Sequence, residues 1–191
     1  MINKSLYLFL FITFLVLMGC EQQQSYSSPA GDMQDTSYAD QRDKVSRPNA
    51  NDKMVMLQDF AGKFIWVDYA APWCSPCEPQ TRTVKSVAST ATSDIIFITV
   101  MTSDMGGYGD PATLATALSW AERFQLDKQR VLAANLTSMT VPKHIFFSPD
   151  GHMLFEKTGS MSASDIRTTL TQYMMDWSAW KQSLTKAEWV Q

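Results

Sequence analysis

Hydrophobic patterning divides the chain into three stretches. From Leu6 to Met18 every residue is apolar apart from Thr13. From Glu21 to about Asp52 apolar side chains are sparse among Gln, Ser, Pro, Gly and scattered charges. From Met54 onward, short β-branched and aromatic runs alternate with segments whose apolar positions recur at helical spacing. Lys63-Phe64-Ile65-Trp66-Val67-Asp68-Tyr69, entered from Gly62, and Ile95-Ile96-Phe97-Ile98-Thr99-Val100 have the character of buried strands. Pro72 breaks the first, and a helix is expected through Thr83-Val84-Lys85-Ser86-Val87-Ala88. Asp110-Pro111 follows a glycine-rich loop and predicts a helix start, with Asp110 as cap and Pro111 at the first helical position. Leu114, Leu118, Ala121 and Phe124 then share one face. His144-Ile145-Phe146-Phe147 runs through Ser148-Pro149-Asp150-Gly151 into Met153-Leu154-Phe155, which predicts a hairpin. Ser164-Asp165 is expected to cap a last helix carrying Ile166, Leu170 and Tyr173. The order strand, helix, strand, helix, strand, strand, helix predicts a layered α/β domain.

The first stretch spans 13 residues behind Lys4. That is too short to cross a bilayer and suits a signal-peptide core. It ends in Leu17-Met18-Gly19-Cys20, which resembles the lipobox of bacterial lipoproteins, whose Cys is acylated and becomes the mature N-terminus. The resemblance implies a signal peptide over 1–19, lipidation of Cys20, and attachment to the periplasmic face of a membrane. Two acyl chains hold where one is marginal. Glu21 stands where an Asp would signal inner-membrane retention, which points to the outer membrane. Residues 20–53 hold too little apolar surface to offset the entropy of ordering and are expected to form a flexible tether. The domain is then expected over 54–191.

Composition narrows the chemistry. Of 191 residues, 45% are hydrophobic and six are Trp, enough for one core. A net charge of −3 without a Lys/Arg run leaves no basic surface for nucleic acid. With Cys20 set aside, two Cys remain, Cys74 and Cys77, two residues apart. A disulfide closing so small a loop constrains little of the unfolded chain, so the pair calls for a chemical explanation. A CxxC at a helix start puts its first Cys near free N–H groups and the positive end of the dipole, which favour thiolate. The second Cys can then attack the mixed disulfide formed by the first, with no cofactor and no metal. A zinc site would need two more ligands, and only His144 and His152 are available.

The segment Val67-Asp68-Tyr69-Ala70-Ala71-Pro72-Trp73-Cys74-Ser75-Pro76-Cys77 resembles the active-site segment of the thioredoxin-like superfamily. The resemblance implies a thioredoxin-like fold, a central mixed β-sheet flanked by helices, and a protein thiol–disulfide oxidoreductase. Cys74 and Cys77 would be the redox pair, and Asp68 the buried group that handles the proton of Cys77. Thr140-Val141-Pro142 falls where the family carries a cis-proline beside the Cys pair, and Gly159 matches its groove glycine. Substrate contact would then involve Trp73, Pro76, Val141, Pro142 and Gly159. The stretch from Thr102 to about Ala134 is similar to the central helical insertion of the membrane-tethered TlpA/ResA group. Gln80 departs from the Glu usual in that group, Asp68 from its usual Asn, and Pro79 from its usual early-helix residue. Ser75-Pro76 resembles the reducing Gly-Pro pair more than the His-containing pair of strong oxidants, so disulfide reduction is the expected direction. The implied partners are protein dithiol or disulfide substrates and a membrane protein that relays dithiol electrons, with the chain itself a monomer.

Two other classes compete. Twelve Met and a Cys74/Cys77/His144 set suggest a thioredoxin-fold copper chaperone. Such chaperones usually space their Cys by three residues, and Met also serves as adaptable core filler. A binding lipoprotein without catalysis is the other, against which the intact Trp73, Cys74, Pro76, Cys77, Asp68 and Pro142 argue. Trp177, Trp180 and Trp189 are expected to pack a terminal helix onto the sheet.

Overall fold

The two runs of continuous apolar character become the centre of a five-stranded sheet. In the computed structural model, which describes residues 40–104 and 109–188, β3 (Phe64–Ala70) is buried at all its positions. It pairs in parallel with β4 (Ile95–Met101) and antiparallel with β6 (Lys143–Phe147). The short β5 (Val131–Ala133) extends β4 in parallel, and β7 (Met153–Thr158) closes the other edge, giving the order β5-β4-β3-β6-β7. β5 lies in the stretch taken for a helical insertion. Three residues show no alternation long enough to be seen as a strand.

The helices follow from local chemistry with shifted boundaries. α1 (Cys77–Ala88) begins behind Pro76, and Pro79 falls in its first turn, where a missing N–H costs nothing. α2 (Leu114–Phe124) is capped by Thr113, not Asp110. Thr113 and Thr116 exchange side-chain and backbone hydrogen bonds at 3.1 and 3.2 Å, while Pro111 forms a bridge with Ser103. A reciprocal cap holds two N–H groups where an Asp-Pro start holds one. α3 (Ala163–Glu188) starts the same way, with the Asp165 N–H on the Ser162 hydroxyl and the Ser162 N–H on the Asp165 carboxylate. Its cap is therefore Ser162, two residues before the expected Ser164.

Sheet register sorts the core into faces. Phe64, Trp66, Asp68 and Ala70 point to one side, as do their partners Thr99, Met101, His144 and Phe146. On that side Phe64, Trp66 and Phe146 pack with Val84 and Val87 of α1 and Ile166, Leu170 and Trp177 of α3. Trp177 is buried in this cluster with Trp180 packed against it, the aromatic packing expected of the terminal helix, and the two rings meet tilted at 4.7 Å; Trp189 lies outside the described residues. α2 packs Ala117, Trp120 and Phe124 beside Ala70, Met101 and Val131 on the same side. The opposite face, with Ile65, Val67, Ile98 and Leu132, is covered by Leu57, Val55, Leu136 and Met139.

Residues 40–53, assigned from composition to the tether, pack against the domain. β1 (Arg47–Pro48) pairs antiparallel with β2 (Met54–Val55), and Asn49 bridges to Leu132 along the outer edge of β5. The Ala50 N–H donates to the Val131 carbonyl at 2.9 Å, and Gln41 holds the Gly151 carbonyl and the Met153 N–H beyond β6. Arg42, Arg47 and Asn49 are buried. Composition counted apolar side chains, whereas this segment is held by backbone and side-chain hydrogen bonds. Gly151, at φ +93°, passes so close to Asp40 that a Cβ there would strike the carboxylate.

Candidate functional site

Pro72 ends β3, and the chain turns into α1 through two hydrogen-bonded bends. The Cys74 N–H donates to Ala71 at 3.1 Å and the Cys77 N–H to Cys74 at 3.0 Å. Cys74 therefore stands three residues ahead of the helix, and Cys77 is the helix's first residue. The two are joined as a disulfide with S–S 2.06 Å, and both are almost fully buried, at 3% and 1% exposure. They pack among Ala70, Ala71, Met101 and α2, with Trp73 and Val141 against the same cluster.

The predicted rim residues come together around this turn. The Val141–Pro142 peptide is cis. The Pro142 carbonyl accepts from the Gly159 N–H at 2.8 Å, which ties the loop before β6 to the end of β7. Gly159 holds φ +97°, a conformation open to glycine. Pro76 is exposed beside the disulfide. Trp73 donates from Nε1 to the Ser103 hydroxyl at 2.7 Å. Ser103 escaped the sequence reading because it lies thirty residues away, just past β4, and nothing local marks it.

Beneath the turn lies a buried polar layer. Asp68 is 1% exposed and sits on the face of β3 between Trp66 and Ala70. α1 runs back over that face, its Val84 and Val87 packing with Trp66 and its Cys77 with Ala70. Gln80 and Thr81, both buried, occupy the intervening turn. Gln80 Oε1 accepts from the Met161 N–H at 2.8 Å, which joins α1 to the start of α3. Opposite Asp68 in register stands His144, fully buried, with Nδ1 3.2 Å from Asp68 Oδ1. The two atoms are within reach of each other yet out of line for a well-formed hydrogen bond. No other protein partner serves either carboxylate oxygen or either ring nitrogen among the described residues. Burial pushes the Asp68 carboxyl above the usual carboxylate range, and His144 opposes that shift.

His144 faces the Asp68 carboxylate, and no three His, Cys, Asp or Glu side chains gather as metal ligands among the described residues. Cys20 lies outside the described residues. Among those described, no helix is long and apolar enough to cross a membrane.

A mixed sheet with a CxxC disulfide at the start of its first long helix and a cis-proline loop beside it defines a thioredoxin-like fold. Solved structures agree. The exposed lipoprotein thioredoxin Etrx1 of Streptococcus pneumoniae matches with a TM-score of 0.54 at 23% identity, over 67% of this chain and 98% of that one. A secreted Mycobacterium tuberculosis disulfide oxidoreductase, described as homologous to E. coli DsbE, matches with a TM-score of 0.55 at 16% identity, over 70% and 98%. M. tuberculosis dsbF, solved in mixed oxidised and reduced forms, gives 0.54 at 18%, over 68% and 94%. No protein-family model matches the sequence, and no curated protein matches it.

Proposed function

We propose that this chain is an extracytoplasmic, lipid-anchored protein thiol–disulfide oxidoreductase that works as a disulfide reductase. The observation that carries the reading is the Cys74–Cys77 disulfide at the head of α1, packed with Val141 of the cis-proline loop and with Ala70, two residues along β3 from the buried Asp68. In the reduced protein, the Cys74 thiolate attacks a substrate disulfide, forms a mixed disulfide and releases one substrate thiolate. Cys77 passes its proton toward Asp68 and attacks the Cys74 sulfur. The Cys74–Cys77 bond forms, the mixed disulfide breaks, and the second substrate thiolate leaves. Two electrons pass from the protein dithiol to the substrate.

Ser75 and Pro76 place no charge between the two Cys, so nothing there stabilises the reduced form as strong oxidants require; this supports the reducing direction. The apolar run ending at Cys20, together with neighbours described as secreted or as an exposed lipoprotein, supports the location. Such a reductase draws its electrons from a membrane protein that relays dithiols. Trp73, Pro76, Val141, Pro142 and Gly159 form the rim that meets a protein substrate.

The two Cys have separable roles, which makes the reading testable. Reduced Cys77→Ser protein is expected to accumulate covalent complexes with disulfide-bearing proteins, visible on non-reducing gels and dissolved by dithiothreitol. Cys74→Ser is expected to accumulate few. Equal trapping by both variants, or by neither, rejects the assignment.

A further inference from the structure

We propose that His144 is a positioning residue that acts through Asp68, setting the pH at which Cys77 gives up its proton. The inference rests on the reading that Asp68 handles that proton. His144 enters β6 two residues after Pro142 and is fully buried directly across from Asp68. Its ring lies 5.5 Å from the Trp66 ring, and neither nitrogen has a partner other than the Asp68 carboxylate among the described residues. Buried polar groups are almost always satisfied, so an imidazole aimed at one carboxylate and nothing else points to that contact as the reason for its presence.

The groups facing the pair are few. β4 offers Thr99 in register with Asp68, and α1, packed over the Trp66 and Ala70 that flank Asp68, buries Gln80, Thr81 and Cys77. β7 places Lys157 in register with His144, on an exposed edge. α3 contributes the apolar Ile166, Leu170 and Trp177. Apart from Cys77 itself, His144 is the ionisable group buried on this face with Asp68 among the described residues.

The chemistry follows from charge. A lone carboxylate at this depth holds its proton and cannot take another. A neutral imidazole beside it, with Nδ1 3.2 Å from Oδ1, favours the ionised carboxylate by turning a ring N–H toward it, and so keeps it able to accept a proton. When Cys77 is deprotonated, its proton enters the Asp68–His144 pair, whose charge changes from −1 to zero while the sulfur becomes −1. No net charge is created in the buried layer. The thiolate then attacks Cys74, and the pair later returns its proton to solvent.

The experiment is the pH profile of resolution, followed as release of a substrate thiol from a preformed Cys74 mixed disulfide, in the full-length protein. His144→Gln keeps a polar side chain without a titrating ring. It is expected to move the rising limb upward by about one pH unit or more, the usual effect of losing an N–H group that favours the charged form of a buried carboxyl. At pH 7 that is about tenfold slower release, recovered in alkali, with the initial attack by Cys74 unaltered. An unmoved profile overturns the proposal, since a merely structural histidine would leave it in place. Asp68→Asn separates the two levels: if that variant resolves at the wild-type rate, the reading of Asp68 itself fails. If it is slow, adding His144→Gln is expected to produce no further shift, and an additive shift overturns the coupling. Should His144→Gln not fold, the ¹⁵N shifts of the His144 ring in the otherwise wild-type protein decide. They are expected to move on reduction of the Cys pair and not to move in Asp68→Asn; a ring indifferent to reduction in the wild type overturns the proposal.

Discussion

At the scale of single residues, the site keeps a carboxyl where stability alone would not. Asp68 is buried with its titration pushed upward by loss of solvent, and His144 offsets part of that shift. For a group whose folded pKa is raised, the stabilising contribution is present below the unfolded pKa and is lost as pH rises through the folded value. Asp68 therefore weakens the fold progressively above the ordinary carboxylate range. Asp68→Asn removes the ionisation while keeping the shape. It is expected to be more stable than the wild type at pH 7 by on the order of 1–2 kcal/mol, the usual gain on relieving a strained functional group. The advantage should shrink toward zero as pH falls to about 4, near the reference carboxylate value. Urea midpoints of both proteins at the two pH values check this, and an advantage that grows on acidification contradicts it.

At the scale of elements, the N-terminal approach is part of the domain. Asn49 Oδ1 accepts the N–H groups of Asn51 and Lys53 at 2.9 and 3.0 Å, and Ala50 bonds to Val131 at the β5 edge. These contacts cover an edge strand that would otherwise offer unpaired backbone groups to other chains. A chain beginning at Asp40 is expected to match the stability of the mature protein. One beginning at Met54 is expected to lose several kcal/mol, at about 1 kcal/mol for each hydrogen bond removed, and to self-associate through β5. Thermal unfolding and sedimentation of the two truncations test this. Equal behaviour would return residues 40–53 to the role of a tether.

For the whole molecule, the proposed function assigns location to the N-terminal stretch and chemistry to the domain. The domain carries the disulfide, and the proposed lipid anchor is Cys20, behind the apolar run. Cys20→Ala is expected to move the protein out of the membrane fraction, or stall it unprocessed, while the isolated domain still reduces a disulfide substrate. Normal maturation with retention in the membrane would reject acylation at Cys20.

Much of this was legible in the residues alone. The three long apolar runs, the hairpin through Pro149-Asp150-Gly151, and the Cys pair behind Trp73 are local signals, because burial, turn chemistry and thiol spacing each act within a few residues. The partners that complete the site are not local. Asp68 meets His144 only because β6 runs antiparallel to β3 in one particular register, and a one-residue slip would send the ring to the other face. Trp73 finds Ser103, and Asn49 finds the β5 edge, across separations that no window of sequence spans. The chain determined by itself where it could form strands, helices and a reactive thiol pair. Which buried groups face each other beside that pair was decided by strand register, a property of the assembled sheet.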